Sequence, residues 1–176
     1  DGGAVFTEDD DLAKKLVSIR MHGMGEHRYS HTRLGINGRM DSIQAGILIA
    51  KLGRYPWEIE ARDKVASRYT TAFSDLRSKG VSTPIVRSTS QSVWAQYTLR
   101  VPNRDQFQAK LQEKGVPTAV HYPIPMADQP AYKEIATAHD ITHARKAAKE
   151  VVSLPMYPDM TESIQNQIID AVRASV

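Results

Sequence analysis

Leu34-Gly35-Ile36-Asn37-Gly38-Arg39-Met40-Asp41-Ser42-Ile43-Gln44-Ala45 joins a glycine-flexible loop, carrying an amide and a guanidinium, to a marked helix start. Asp41 stands at an N-cap position with Gln44 three residues on, so the two side chains can satisfy helix amide donors reciprocally, as in a capping box. Gly35 and Gly38 allow backbone conformations closed to other residues, and Arg39 offers a planar, permanently charged fork suited to phosphate or carboxylate. Such a loop can hold an anion. It can equally be a turn with a surface arginine, and these residues alone leave both readings open.

Working outward, Asp9-Asp10-Asp11 supplies an N-cap and first-turn acids, after which Leu12, Leu16 and Ile19 recur at helical spacing until Gly23. The pattern predicts an amphipathic helix packed on a sheet. Before it, Asp1-Gly2-Gly3-Ala4-Val5-Phe6-Thr7 reads as a short buried strand that opens without an initiator Met. That opening predicts a fragment with the rest of a sheet upstream. Residues 23–38 are polar and rich in Gly, His and Arg, an extended functional loop between two helices. The second helix runs from about Ser42 to Leu52 and presents Ile43, Ile47 and Leu48 as a largely buried face.

Pro56 fits the first position of a third helix in which Ile59, Ala66, Tyr69, Phe73 and Leu76 recur, closed by Lys79-Gly80. A long helix before a change of pattern predicts a domain bridge. Val93, Ala95, Tyr97, Leu99 and Val101 then alternate with polar or larger residues as a half-buried strand does. Asn103 and Gln106 repeat the capping box, and Phe107 with Leu111 marks a helix ending at Gly115. Pro117 to Tyr122 and Val151 to Met156 read as further strands, and Thr161 caps a last helix with Ile164, Ile168 and Val172 inward. This second half predicts a small α+β domain.

Composition narrows the function classes. The chain has 176 residues, 41% of them hydrophobic, which suits one ordinary domain or a small domain plus part of another. No stretch has the apolar length of a membrane span, and no basic-then-apolar leader is present, so a soluble, cytoplasmic protein is expected. Cysteine is absent, which removes disulfides, thiolate catalysis and cysteine-held metals. The 23 basic and 20 acidic residues are interspersed, so no nucleic-acid surface is indicated and any anionic ligand is small.

Chemistry is sparsely marked. His22, His27, His31 and His121 lack recognisable metal-ligand spacing, and no metal site is expected. No G-x-S-x-G elbow supports a serine hydrolase, and no lysine has a motif that marks it as a Schiff-base amine. In Val120-His121-Tyr122-Pro123-Ile124-Pro125, two prolines stiffen the backbone after an imidazole and a phenol. These side chains either contact a ligand or pack in a rigid turn. Trp94 and Tyr97 are expected to pack between sheet and helices.

Several runs stand in register with one family. Asp1-Gly2-Gly3-Ala4-Val5-Phe6-Thr7, Arg20-Met21-His22-Gly23, Gly35-Ile36-Asn37-Gly38-Arg39-Met40-Asp41 with Gln44-Ala45, Val120-His121-Tyr122-Pro123 and Ser153-Leu154-Pro155-Met156 together resemble the DegT/DnrJ/EryC1/StrS sugar aminotransferases. Within them the likeness is to the branch making 3-amino-3-deoxy uronic acids on UDP for bacterial surface polysaccharides. The resemblance implies an α/β fold, the C-terminal portion of a fold type I pyridoxal 5'-phosphate (PLP) transferase. Residues 1–54 would end the large PLP-binding domain, 55–81 form the bridging helix, and 82–176 the small α+β domain. It also implies a homodimer with shared active sites, in which Asn37 and Arg39 reach the partner subunit's PLP phosphate. His121 and Tyr122 would line the sugar-nucleotide pocket, and Arg39 or His121 would engage a uronate carboxylate. The Schiff-base lysine of the family would lie just upstream of Asp1, leaving no catalytic residue in the chain, which would be inactive alone. The implied reaction moves an amino group from glutamate to a UDP-linked 3-keto sugar, a 3-keto uronic acid, in lipopolysaccharide O-antigen synthesis. Two rivals remain: a PLP-dependent sugar dehydratase of the same family, with histidine for lysine, and a non-catalytic sugar-nucleotide-binding or regulatory module.

Overall fold

The computed structural model describes residues 3–132, 134 and 140–176. These form two compact units, Asp1–Arg54 and Tyr55–Val176.

In the first unit, α1 spans Asp10–Arg20, and Asp9 caps it by accepting from the amides of Asp11 at 2.9 Å and Leu12 at 3.0 Å. The acidic cap and first turn thus act as the sequence predicts. The expected packing does not follow. No α1 residue is buried, and no strand longer than an isolated bridge forms in this unit among the described residues, so α1 has no sheet here to lie on. The predicted opening strand is likewise absent over residues 3–7, where Val5 and Phe6 are exposed; Asp1 and Gly2 lie outside the described residues.

The two helices predicted on either side of Pro56 are one helix, α2, spanning Ser42–Ala72. Pro56 lies inside it, where it has no N–H for the Leu52 carbonyl, a cost of about 3 kcal/mol that does not end the helix. The face of Ile43, Ile47 and Leu48, expected to be buried, is exposed, because nothing among the described residues of the first unit covers it.

The second unit owns the core. Val65, Ala66 and Tyr69 of α2 and Phe73 after it meet Tyr97, Leu99, Phe107, Leu111, Val152 and Val172. Residues Ser74–Lys79 form a 3₁₀ turn that stops at Gly80, whose φ of 85° is open to glycine at little cost. Strand β1, Tyr97–Arg100, pairs antiparallel with β2, Val151–Leu154, setting Tyr97 opposite Leu154, Thr98 opposite Ser153 and Leu99 opposite Val152. Single bridges from Ser82 to Arg100 and from Ala119 to Ser153 extend the pair on both edges. The Pro117 to Tyr122 strand is therefore reduced to one bridge.

Strand β1 is shorter than the alternation from Val93 predicts, since Trp94 bonds to α2 while Val93, Ala95 and Gln96 stay exposed. Trp94 turns to φ 49°, donates its indole N–H to Asp63 Oδ1 at 2.9 Å, and offers its carbonyl to Arg62 at 3.1 Å. Helix α3, Arg104–Glu113, starts without the predicted capping box: Asn103 has φ 53° and ψ 44°, and its side chain makes no cap bond. Helix α4, Thr142–Glu150, was not marked by the motifs, and Arg145 ties it to Asp128 through two bonds of 2.8 and 2.7 Å. Helix α5, Glu162–Arg173, has the expected Thr161 cap and buries Ile168 and Val172, while Ile164 stays 40% exposed.

The aromatic centre is fully paired. Tyr69 donates its hydroxyl to the Pro155 carbonyl at 3.1 Å, and the Tyr97 hydroxyl meets Thr70 Oγ1 at 2.8 Å. Burial pushes the Tyr97 phenol up to about 12, the Thr70 bond opposing it, so Tyr97 stays neutral and serves packing as expected.

Candidate functional site

The loop between α1 and α2 is held by its backbone. His22 N donates to Ile36 O at 2.9 Å, Ile36 N to Ile19 O at 2.8 Å, and Gly38 N to Arg20 O at 2.9 Å. Ser18 Oγ donates to Met24 O at 2.6 Å, and His31 Nδ1 donates to His22 O at 3.0 Å. His22 and His31 thus serve loop geometry. Gly23 and Gly35 cross where a side chain on either would collide with backbone: at Gly35 with Gly23 N and the His22 carbonyl carbon, at Gly23 with the Arg33 carbonyl. Close approach, rather than a special conformation, is what requires glycine at 35. Gly38 has no such need, since a Cβ there would stand 3.3 Å from side-chain carbons of Arg20 and Ile36.

This weave delivers Asn37 and Arg39 together at the surface. Arg39 Nε donates to Asn37 Oδ1 at 2.9 Å, and Arg39 Nη1 stands 3.9 Å from Met21 Sδ. The bond turns the amide oxygen toward Arg39 and occupies one of its two lone pairs, leaving Asn37 Nδ2 and the guanidinium's remaining N–H groups as donors side by side. A donor-rich pair suits a phosphate or carboxylate. Asp41 Oδ1 accepts from Ile43 N at 2.8 Å, a cap bond to the second residue of α2 rather than the Gln44 amide of the expected capping box.

The second candidate pair lies in the other unit. Ala119 and Ser153 exchange backbone bonds of 3.2 and 2.7 Å, which anchors the chain two residues before His121. His121 Nδ1 lies 3.1 Å from Ser153 Oγ, and Ser153 Oγ lies 2.9 Å from Thr98 Oγ1. Tyr122 meets the His121 ring edge-on at 5.6 Å and is 73% exposed. The structure therefore brings Asn37 to Arg39 and His121 to Tyr122, each pair within its own unit. Sequence reasoning missed Ser153 as a neighbour of His121, although a lone hydroxyl inside the apolar run Val151-Val152-Ser153-Leu154 must find a partner.

With this geometry in hand, comparison with known proteins is specific. The model of the DegT/DnrJ/EryC1/StrS aminotransferase family matches residues 1–173, and the chain belongs to that family. Among its relatives, the UDP-2-acetamido-2-deoxy-3-oxo-D-glucuronate aminotransferase of Pseudomonas aeruginosa is 46% identical over 158 residues, covering 90% of this chain and 42% of that protein. A solved aminotransferase of the family from Brucella abortus superposes with a TM-score of 0.86 at 39% identity, over 96% of this chain and 44% of that one. Bacillus subtilis NtdA, solved with the bound cofactor PMP, superposes with a TM-score of 0.83 at 28% identity, over 96% of this chain and 40% of that one. The chain thus spans less than half the length of these proteins. Its fold is the corresponding portion of the α/β, fold type I class of PLP enzymes.

Proposed function

We propose that the chain is part of a PLP-dependent sugar-nucleotide aminotransferase that moves an amino group from glutamate to a UDP-linked 3-keto uronic acid. Overall the sugar's C3 carbonyl oxygen is exchanged for an amine while glutamate becomes its 2-oxo acid. The observation that carries the reading is the Arg39 Nε to Asn37 Oδ1 bond at 2.9 Å, in the loop that also carries the family likeness. The donor-rich pair it orients fits the phosphate of PLP. Bound PLP supplies the electron sink that lets nitrogen leave one carbon and join another.

The residues of this chain bind and orient. Asn37 Nδ2 and the Arg39 guanidinium hold the phosphate of the partner subunit's cofactor, each hydrogen bond to that dianion contributing roughly 1.5 to 3 kcal/mol. Neither group exchanges a proton in the reaction. His121 and Tyr122 line the sugar-nucleotide pocket, and Arg39 or His121 takes the uronate carboxylate. In this reading residues 1–54 close the large domain, 55–81 bridge and 82–176 form the small domain of a cytoplasmic homodimer serving surface-polysaccharide synthesis. The family resemblance would put the Schiff-base lysine outside residues 1–176, and in this reading the chain alone does not transaminate.

The test uses full-length protein, PLP, ¹⁵N-labelled glutamate and a UDP-linked 3-keto uronate, with mass spectrometry of the sugar. Incorporation of ¹⁵N supports the reading. Loss of water without nitrogen gain would instead make the protein a dehydratase, and binding without turnover would make it a non-catalytic module.

A further inference from the structure

The imidazole of His121 has a fixed hydrogen-bond neighbour at one of its two ring nitrogens. Its Nδ1 lies 3.1 Å from the hydroxyl of Ser153, a residue only 5% exposed on β2, and that hydroxyl lies 2.9 Å from the hydroxyl of Thr98, the cross-strand partner of Ser153 on β1. Both strands and the Ala119 bridge fix this line through backbone bonds, so its three members are set by sheet register. A hydroxyl has one proton to give and two lone pairs to receive with. The Thr98 hydroxyl meets no second protein partner among the described residues, so its proton has one protein acceptor, Ser153 Oγ. In that direction Ser153 gives its own proton onward to His121 Nδ1. The reverse direction would leave the Thr98 proton without a protein acceptor.

We infer that Ser153, backed by Thr98, is a positioning residue that sets the tautomer of His121, with Nδ1 as acceptor and Nε2–H as the ring's donor. A donor at Nε2 suits a carboxylate, phosphate or carbonyl oxygen, the groups a keto-uronate sugar nucleotide carries. The inference deepens the proposed role of His121 and rests on that reading for its ligand, while the tautomer itself is a property of the free protein. A cross-strand hydroxyl pair with a merely structural role would affect stability and leave the imidazole alone.

The experiment is ¹⁵N NMR of full-length protein labelled at histidine, without substrate and with the imidazole neutral, His121 being assigned by its loss in His121→Gln. The wild type should show a protonated Nε2 and a bare Nδ1 as two widely separated resonances. In Ser153→Ala and in the shape-conserving Thr98→Val, the separation should shrink towards the average of two exchanging tautomers, although Thr98 does not touch His121. KM for the sugar nucleotide should rise about five-fold in Ser153→Ala, the loss of one ordinary hydrogen bond. A wild-type proton on Nδ1, or an unchanged resonance pair in the folded variants, overturns the inference. Should Ser153→Ala fail to fold, Thr98→Val decides alone. Because the resonances are read without substrate, failure of the amination assay leaves this result standing, and an unmoved imidazole with full amination sinks this inference only.

Discussion

The two units solve the same physical problem in different ways. In Tyr55–Val176, Tyr69, Tyr97, Leu99 and Val172 are essentially inaccessible and, among the described residues, every deep hydroxyl has a partner; in Asp1–Arg54, α1 buries nothing and Ile43, Ile47 and Leu48 are exposed. One unit is held by apolar burial, the other by a web of backbone bonds around a glycine crossing. The difference teaches where each candidate pair gets its rigidity. His121 is set by the register of a packed sheet, whereas Asn37 and Arg39 are set by a woven loop.

Truncating the core should produce the largest effect. Leu99→Ala, at a site 0% exposed, should cost roughly 2 to 5 kcal/mol in urea unfolding of this chain, and Ile43→Ala, at a site 76% exposed, no more than about 0.5 kcal/mol. Equal costs would erase the contrast. The loop should respond next: Gly35→Ala must push backbone apart and should cost roughly 1 to 3 kcal/mol locally, seen as faster hydrogen exchange at the His22 and Ile36 amides. Gly38→Ala should leave that exchange unchanged. If both behave alike, close approach at Gly35 is not what organises the loop.

The smallest effect concerns charge. Arg173 donates to both oxygens of Asp75, at 2.9 and 2.6 Å, and this bonding holds the carboxyl below its usual range. A carboxyl depressed by folding adds stability above its unfolded pKa and loses it as pH falls through the lower folded value. Carboxyl ¹³C titration should show Asp75 returning to an ordinary value in Arg173→Gln, with the acid limb of the stability curve moving only slightly because the pair is exposed. An unmoved Asp75 would assign the depression to something other than Arg173.

Much of this was legible where a local rule and the packing agree. Asp9 and Thr161 cap as their spacing predicts, and the Tyr97, Leu99, Val101 face is the buried one. Proline misled because a ring at a first helical turn and a ring inside a helix leave the same trace in sequence; at Pro56 the helix tolerates one lost bond. Asn103 misled because its left-handed backbone carries the side chain away from the amides it would cap. Residues 93–96 alternate like a strand, yet Trp94 turns out of line to bond Asp63. At the site, the Asn37 and Arg39 chemistry was visible, but the bond that turns the amide oxygen toward the guanidinium was not, since it depends on rotamers. Ser153 escaped because its partners, Thr98 and His121, are brought to it only by strand register.

The central claim is that Asn37 and Arg39 grip the cofactor phosphate, and PLP affinity measures it most directly. In full-length protein, spectroscopic titration of PLP should give a Kd about 10-fold to 100-fold weaker for Asn37→Ala and for Arg39→Ala than for the wild type, as expected for losing hydrogen bonds to a charged group. Wild-type affinity in both folded variants would contradict the account.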